Sequence, residues 1–244
     1  MAVIPTTWSQ ADRGGYNTVT NGDLTTSYTA YLGSNVRSVH GLSAGSAYFE
    51  LRIDARHTSA YISLGFWPAS RPINTYIYNT SGVVRIAPGS HAVNDVFGVA
   101  FDAAARLVTV TRNGVTVGTS SVPLITEPWH AVVGDDNTTG ICTMTANFGQ
   151  SSFQYSPPGG ATPGLGPTAY TLSGVTTGST GTPVQRPIRA QREDTGAYVG
   201  GVISNATTGA YTISTPYSGT HTVVAYPVTG ENLPALVHRG VIPI

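Results

Sequence analysis

Gly41-Leu42-Ser43-Ala44-Gly45 spells G-x-S-x-G, a spacing that can lift a serine hydroxyl on a strained turn between a strand and a helix. Here the motif runs straight into Tyr48 to Ile53 (YFELRI), a strand pattern, with no helical periodicity after it. It therefore reads as a Gly/Ser loop entering a strand. Six histidines, His40, His57, His91, His130, His221 and His238, could supply bases or metal ligands, yet no two stand at i, i+2 or i+4. Asp135-Asp136-Asn137 offers oxygen ligands without the spaced acidic loop that calcium favours, so an Asx turn is expected there. Cys142 is the only cysteine, so neither an internal disulfide nor a cysteine zinc cage can form within one chain. Paired carboxylates for glycoside hydrolysis would have to come from only twelve acids, and Glu50 lies inside YFELRI. The reading is no catalytic residues, no metal and no cofactor.

Binding chemistry is better represented. Thr58 to Asn79 gathers Trp67, Arg71, Asn74, Tyr76 and Tyr78 around a proline-punctuated loop, and aromatic residues with Arg and Asn suit protein and carbohydrate contact surfaces. Strand spacing offers a competing account, in which about half of these tyrosines point into a core.

The elements that must position such a loop are short. Runs at Tyr48 to Ile53, Tyr61 to Phe66, Val96 to Phe101, Leu107 to Arg112 and His130 to Val133 alternate at strand period, and Asn113-Gly114 predicts a type I′ hairpin. No window sustains helical periodicity. At Pro157 the chain changes to PPGGATPGLGPTAY, read as a linker over 159–167. Strand patterning resumes at Pro187 to Arg192, Tyr198 to Ile203, Gly209 to Ser214, Thr220 to Tyr226 and Ala235 to Ile242, with Tyr170-Thr171-Leu172 as a first strand. The chain is thus expected to be all-β: a sandwich over 1–158, a linker over 159–167 and a smaller sandwich over 168–244.

Composition bounds the partners. The 244 residues carry 12 arginines, no lysine and 12 acids, for a net charge of zero and a charged fraction of 10%. With no basic excess to release counterions, nucleic acid is not an expected partner. No apolar stretch approaches the 18 or more residues of a membrane span, so membrane insertion is not expected. Met1 to Gly15 shows no basic region followed by an apolar core, which predicts no signal peptide. So few charges suit a part of a fixed assembly.

Several ordered pieces resemble a SPRY domain, a bent two-sheet β-sandwich: Val36-Arg37-Ser38, Gly45 to Leu51 (GSAYFEL), Ile62 to Phe66 (ISLGF), Asp95 to Asp102 (DVFGVAFD), Asn113-Gly114 before Gly118, Pro128-Trp129, and Ala146 to Gly149 (ANFG). The resemblance spans about residues 8–158. Ala47-Tyr48-Phe49 departs from the family's G-x-W-Y-W-E, marking a distant member, and makes Glu50 a framework residue. Ligands of such folds meet loops at one end of the sandwich, which implies binding at Arg71, Asn74, Tyr76, Tyr78, Asp135, Asp136 and Asn137.

The second region resembles the small Ig-like or prealbumin-like domains of bacteriophage virion proteins, through Val184 to Arg192, Thr195-Gly196, Thr208 to Tyr211 and the ending Glu231 to Pro243 (ENLPALVHRGVIP). These resemblances imply a non-enzymatic virion protein made in the host cytoplasm, a tail or tail-fibre component for adhesion or docking. Capsid decoration, a head fibre, or a cytoplasmic peptide-binding adaptor are the alternatives. Expected partners are other virion proteins, further copies of the chain in a trimer, and a host surface glycan or protein.

Overall fold

Asn113 and Gly114 turn the chain between Leu107–Arg112 (β9) and Val115–Ser121 (β10) with φ of 52° and 81°, the type I′ geometry the dipeptide predicts. A computed structural model describes residues 4–29, 34–57, 61–73, 77, 80–135, 141–167, 170–227 and 235–244. Among these there is no α-helix, and the regular elements are antiparallel strands plus one 3₁₀ turn at Pro158–Gly160. Among the described residues no helix is long and apolar enough to cross a membrane. The chain divides into two compact units, Pro5–Pro167 and Met1–Ile4 with Thr168–Ile244.

In the first unit the remaining strands are Trp8–Arg13 (β1), Asn17–Thr20 (β2), Thr25–Thr29 (β3), Ser34–Leu42 (β4), Ser46–Ala55 (β5), Ile62–Pro68 (β6), Val83–Ile86 (β7), Val96–Asp102 (β8), Trp129–Asp135 (β11) and Ile141–Asn147 (β12). They form a five-stranded sheet in the order β1-β4-β11-β6-β7 and a seven-stranded sheet in the order β10-β9-β8-β5-β12-β3-β2. Period-2 alternation fills the space between the sheets: Phe49, Leu51 and Ile53 point inward from β5, and Ile62, Leu64 and Phe66 point inward from β6. Phe49 meets Trp8 edge to face at 6.2 Å and tilts against Phe148 at 5.2 Å, geometries that aromatic quadrupoles favour. Gly65 is required on β6 because a Cβ there would strike the carbonyl of Gly82 where the chain enters β7.

The segment expected as a linker belongs to this sandwich. Gly164 and Tyr48 exchange backbone hydrogen bonds at 2.9 and 3.3 Å, Leu165 N–H donates to Phe148 at 3.0 Å, and the Leu165 side chain is buried in the main core. Thr162 N–H and hydroxyl both meet the Ser46 hydroxyl at 3.0 Å. The Gly/Pro composition signals irregular backbone, which two buried apolar side chains, Ala161 and Leu165, then fasten down. An extended spacer over 159–167 is therefore corrected to a packed strap.

In the second unit the strands are Tyr170–Val175 (β13), Pro187–Arg192 (β14), Tyr198–Ile203 (β15), Ala210–Thr215 (β16), His221–Ala225 (β17) and Leu236–Val241 (β18), each within a residue or so of its expected position except that β13 runs on to Val175. A two-stranded sheet, β13-β16, and a four-stranded one, β15-β14-β17-β18, enclose Leu172, Ile188, Ala190, Ile213, Val223 and Ala225. Beside this core the buried Thr176 and Ser204 hydroxyls share a hydrogen bond at 2.8 Å, and Ser204 also accepts from Arg186 N–H at 2.8 Å.

Candidate binding surface

β6 is buried along its whole length, Ile62 to Pro68, which an alternating strand with one wet face would not be. Its even positions face the core, and Trp67 faces outward to pack with Ile77, Val83 and Val132. Ile77, in the connection from Ala69 to Gly82, therefore lies over the outer face of the five-stranded sheet, with the partly buried Ile73 packed against the same cluster. Tyr76 and Tyr78, half of which were expected to alternate into a core, lie outside the described residues.

Arg37, 6% exposed on β4, holds the start of this connection. Its Nε donates to Asp12 Oδ2 at 2.6 Å, and its Nη1 donates to the carbonyls of Pro68, Ala69 and Arg71 at 2.7, 3.0 and 3.0 Å. A planar guanidinium can serve a carboxylate and several carbonyls at once, which an ammonium could not do with the same geometry. Glu127 clasps the next residue, accepting from Ser70 N–H at 2.7 Å and Ser70 Oγ at 2.6 Å. Those two bonds, hydroxyl first, hold the Glu127 carboxyl below its ordinary range. Further along, the Asn35 side-chain amide donates to the Ile73 carbonyl at 2.9 Å. Arg71 itself is exposed on this clamped start.

The strand register separates two of the expected site residues. Trp129 pairs with Pro68 and Asp135 with Ile62, so Asp135 closes the end of the ladder opposite to the one from which the chain runs on to Arg71. Ile73, whose carbonyl accepts from Asn35, is thereby held beside Gly134, the register partner of Asn35. Asn74, Tyr76, Tyr78, Asp136 and Asn137 lie outside the described residues. Sequence reasoning missed Arg37, although it quoted Val36-Arg37-Ser38; an arginine within an apolar strand pattern was the available signal.

Ser43 sits on an exposed turn between β4 and β5, with Gly45 at φ 78° and no helix following. The arrangement lacks the strand-to-helix elbow that G-x-S-x-G would need. His130 bonds through Nδ1 to the Ser38 carbonyl at 2.8 Å, and burial pushes its pKa down. His91, also buried, is shifted down for the same reason. Among the described residues no group of three or more His, Cys, Asp or Glu is placed to hold a metal ion.

No family model and no curated protein matches the sequence. Solved structures do. The chain is similar to the PSpry domain of TRIM65 (15% identity, 59% of this chain and 92% of that one, TM-score 0.42). It is also similar to the SPRY domain of human HERC1 (12% identity, 59% and 99%, TM-score 0.45). A third similarity is to stonustoxin (11% identity, 59% and 27%, TM-score 0.41).

Proposed function

We propose that this chain is a non-enzymatic structural and recognition protein of a bacteriophage particle, a tail or tail-fibre component in which a SPRY-like sandwich presents loops and an Ig-like sandwich assembles with further copies. The observation that carries this reading is the state of the second unit's outer strands. β15 and β18 are the edges of the four-stranded sheet, and they leave Tyr198, Ile203, Leu236 and Val237 at least half exposed around a six-residue core. Unpaired edges with exposed aliphatic side chains are templates for another chain, and natural sheets usually guard them with lysine, which this chain lacks entirely. Zero net charge removes the self-repulsion that would keep copies apart. A homotrimer is the expected order, because cyclic symmetry covers such edges in closed assemblies.

The particle setting is supported by the resemblance of the second region to virion domains. Mass spectrometry of purified particles, with immunogold electron microscopy against this chain, tests it. Label on tails or fibres is the expected outcome, label on heads assigns it to capsid decoration, and its absence from every particle overturns the virion reading. Sedimentation of the purified chain at micromolar concentration tests the assembly: a trimer that dissociates on Leu236→Glu is expected.

A further inference from the structure

β5 and β12 lie in the middle of the seven-stranded sheet, and their outward side chains form pairs: Glu50 with Asn147, and Arg52 with Thr145. Residues 150–154 fold over these pairs, leaving a groove of about 290 Å³ on the sheet's outer face. Glu50, 5% exposed, builds its wall, accepting from Gln154 N–H at 2.9 Å, Tyr155 N–H at 2.8 Å and the Tyr48 hydroxyl at 3.1 Å. Burial, then the Glu50 carboxylate, push the Tyr48 pKa far above its ordinary value, so this hydroxyl stays a donor. Asn147 adds to the wall, donating to the Ser151 and Ser152 carbonyls at 3.1 and 3.3 Å.

The groove is also lined by Arg52, Ser151, Ser152 and Gln154, whose capacity for hydrogen bonding is not consumed. Arg52 spends only Nε, on Asp54 Oδ1 at 2.7 Å, which fixes the guanidinium plane, balances its charge and leaves both terminal nitrogens as donors. The Ser151 and Ser152 hydroxyls can donate or accept, and the Gln154 side-chain oxygen accepts. A row of hydroxyls continues the surface from Thr145 to Thr25 at 2.8 Å and from Thr143 to Ser27 at 3.0 Å.

We infer that this groove binds a neutral oligosaccharide, a ligand class that deepens the recognition reading above and rests on it. The site offers both donors and acceptors in Arg52, Ser151, Ser152 and Gln154, its charges are Arg52, paired with Asp54, and Glu50, tied by three hydrogen bonds, and its volume sits near the lower end for ligand pockets, about 300–1,000 Å³. A peptide fits less well: β5 is paired to β8 and β12, and β12 to β5 and β3, so no strand edge is open for main-chain addition.

A printed array of bacterial surface oligosaccharides, probed with the full chain, tests the site, followed by calorimetry with the retained sugar. Retention on at least one neutral oligosaccharide is expected, weakened at least tenfold by Arg52→Ala and by Gln154→Ala, with melting temperatures unchanged. Arg52→Lys keeps the charge but loses the fork and should weaken binding similarly, whereas Arg106→Gln, remote in an exposed turn, should not. No retention on any sugar, retention indifferent to Arg52→Ala, or Arg52-dependent retention of extended peptides in place of sugars overturns the inference. Particle labelling decides the virion reading separately, since a chain found in particles yet silent on the array loses only this groove.

Discussion

The two units spend similar strand patterns on very different cores. The first closes two sheets over Trp8, Phe49, Phe66, Phe97, Phe101 and Phe148, all fully buried, together with many aliphatic side chains. The second encloses six small or aliphatic side chains and leaves its two outer strands exposed. Burial scales with size, so a unit of about 80 residues has little apolar surface to hide and is the natural candidate to complete its burial against another chain. Alternation makes a strand; the apolar area enclosed between the sheets makes them stable.

Removing one core side chain should separate the units most sharply. Ile188→Ala is expected to cost about 3 kcal/mol, enough to unfold a domain with so small a core. All three tryptophans, Trp8, Trp67 and Trp129, lie in the first unit, so tryptophan fluorescence in a urea titration should be unmoved while circular dichroism loses the second unit's signal. A shift of the fluorescence midpoint would break the comparison by showing that the small core supports the large one.

Arg37→Ala should act on the first unit alone. It strands the carbonyls of Pro68, Ala69 and Arg71 and removes the cation beside the partly exposed Asp12, a loss of about 2 kcal/mol that comes mainly from carbonyls left unpaired. The fluorescence midpoint should fall, and protease should gain access between Ala69 and Gly82. A variant with wild-type stability and wild-type resistance would mean the clamp is dispensable.

Leu165→Ala should cost about 2 kcal/mol and open the strap to a broad-specificity protease between Pro158 and Pro167, where the wild-type chain is expected to resist cleavage. Rapid cutting of the wild-type chain there would restore a loose spacer.

The smallest effect is the pH dependence. Burial lowers the pKa of His91 and His130 in the folded first unit, so below their ordinary value of 6.5 the unfolded chain binds protons that the folded one does not. The stability of this unit is complete above about pH 6.5 and declines as pH falls from there toward the lowered folded values. In the second unit Asp194, held at about 2 by hydrogen bonds from Arg192 and then Tyr217, keeps its contribution until pH falls below its ordinary 3.8. Tryptophan fluorescence, which reports the first unit alone, should therefore lose stability at a higher pH than the transition that circular dichroism retains for the second unit, followed from pH 7.5 to 3; identical profiles would remove the distinction.

Much of the fold is legible in the residues themselves, because a period of two and a turn dipeptide are local. Leu107 to Arg112, Pro187 to Arg192 and Tyr198 to Ile203 occur as strands with the bounds their alternation gives, and Asn113-Gly114 takes the positive φ that only such a pair adopts cheaply. Glu50 as framework was legible through resemblance, and the structure supplies its task, three hydrogen bonds that pin residues 154 and 155 and the Tyr48 hydroxyl. What required the tertiary structure is everything set by register and by cover. Which sheet end Asp135 occupies depends on its pairing with Ile62, more than seventy residues away, and Arg37 has partners only once β6 ends beside β4's neighbour. Pro157 to Pro167 has the composition of a spacer and the packing of a strap, since Gly and Pro describe backbone freedom locally while Ala161 and Leu165 are buried by strands distant in the chain. Local propensity decides what a segment can be; long-range burial decides what it touches, and the chemistry of a site is made of touches.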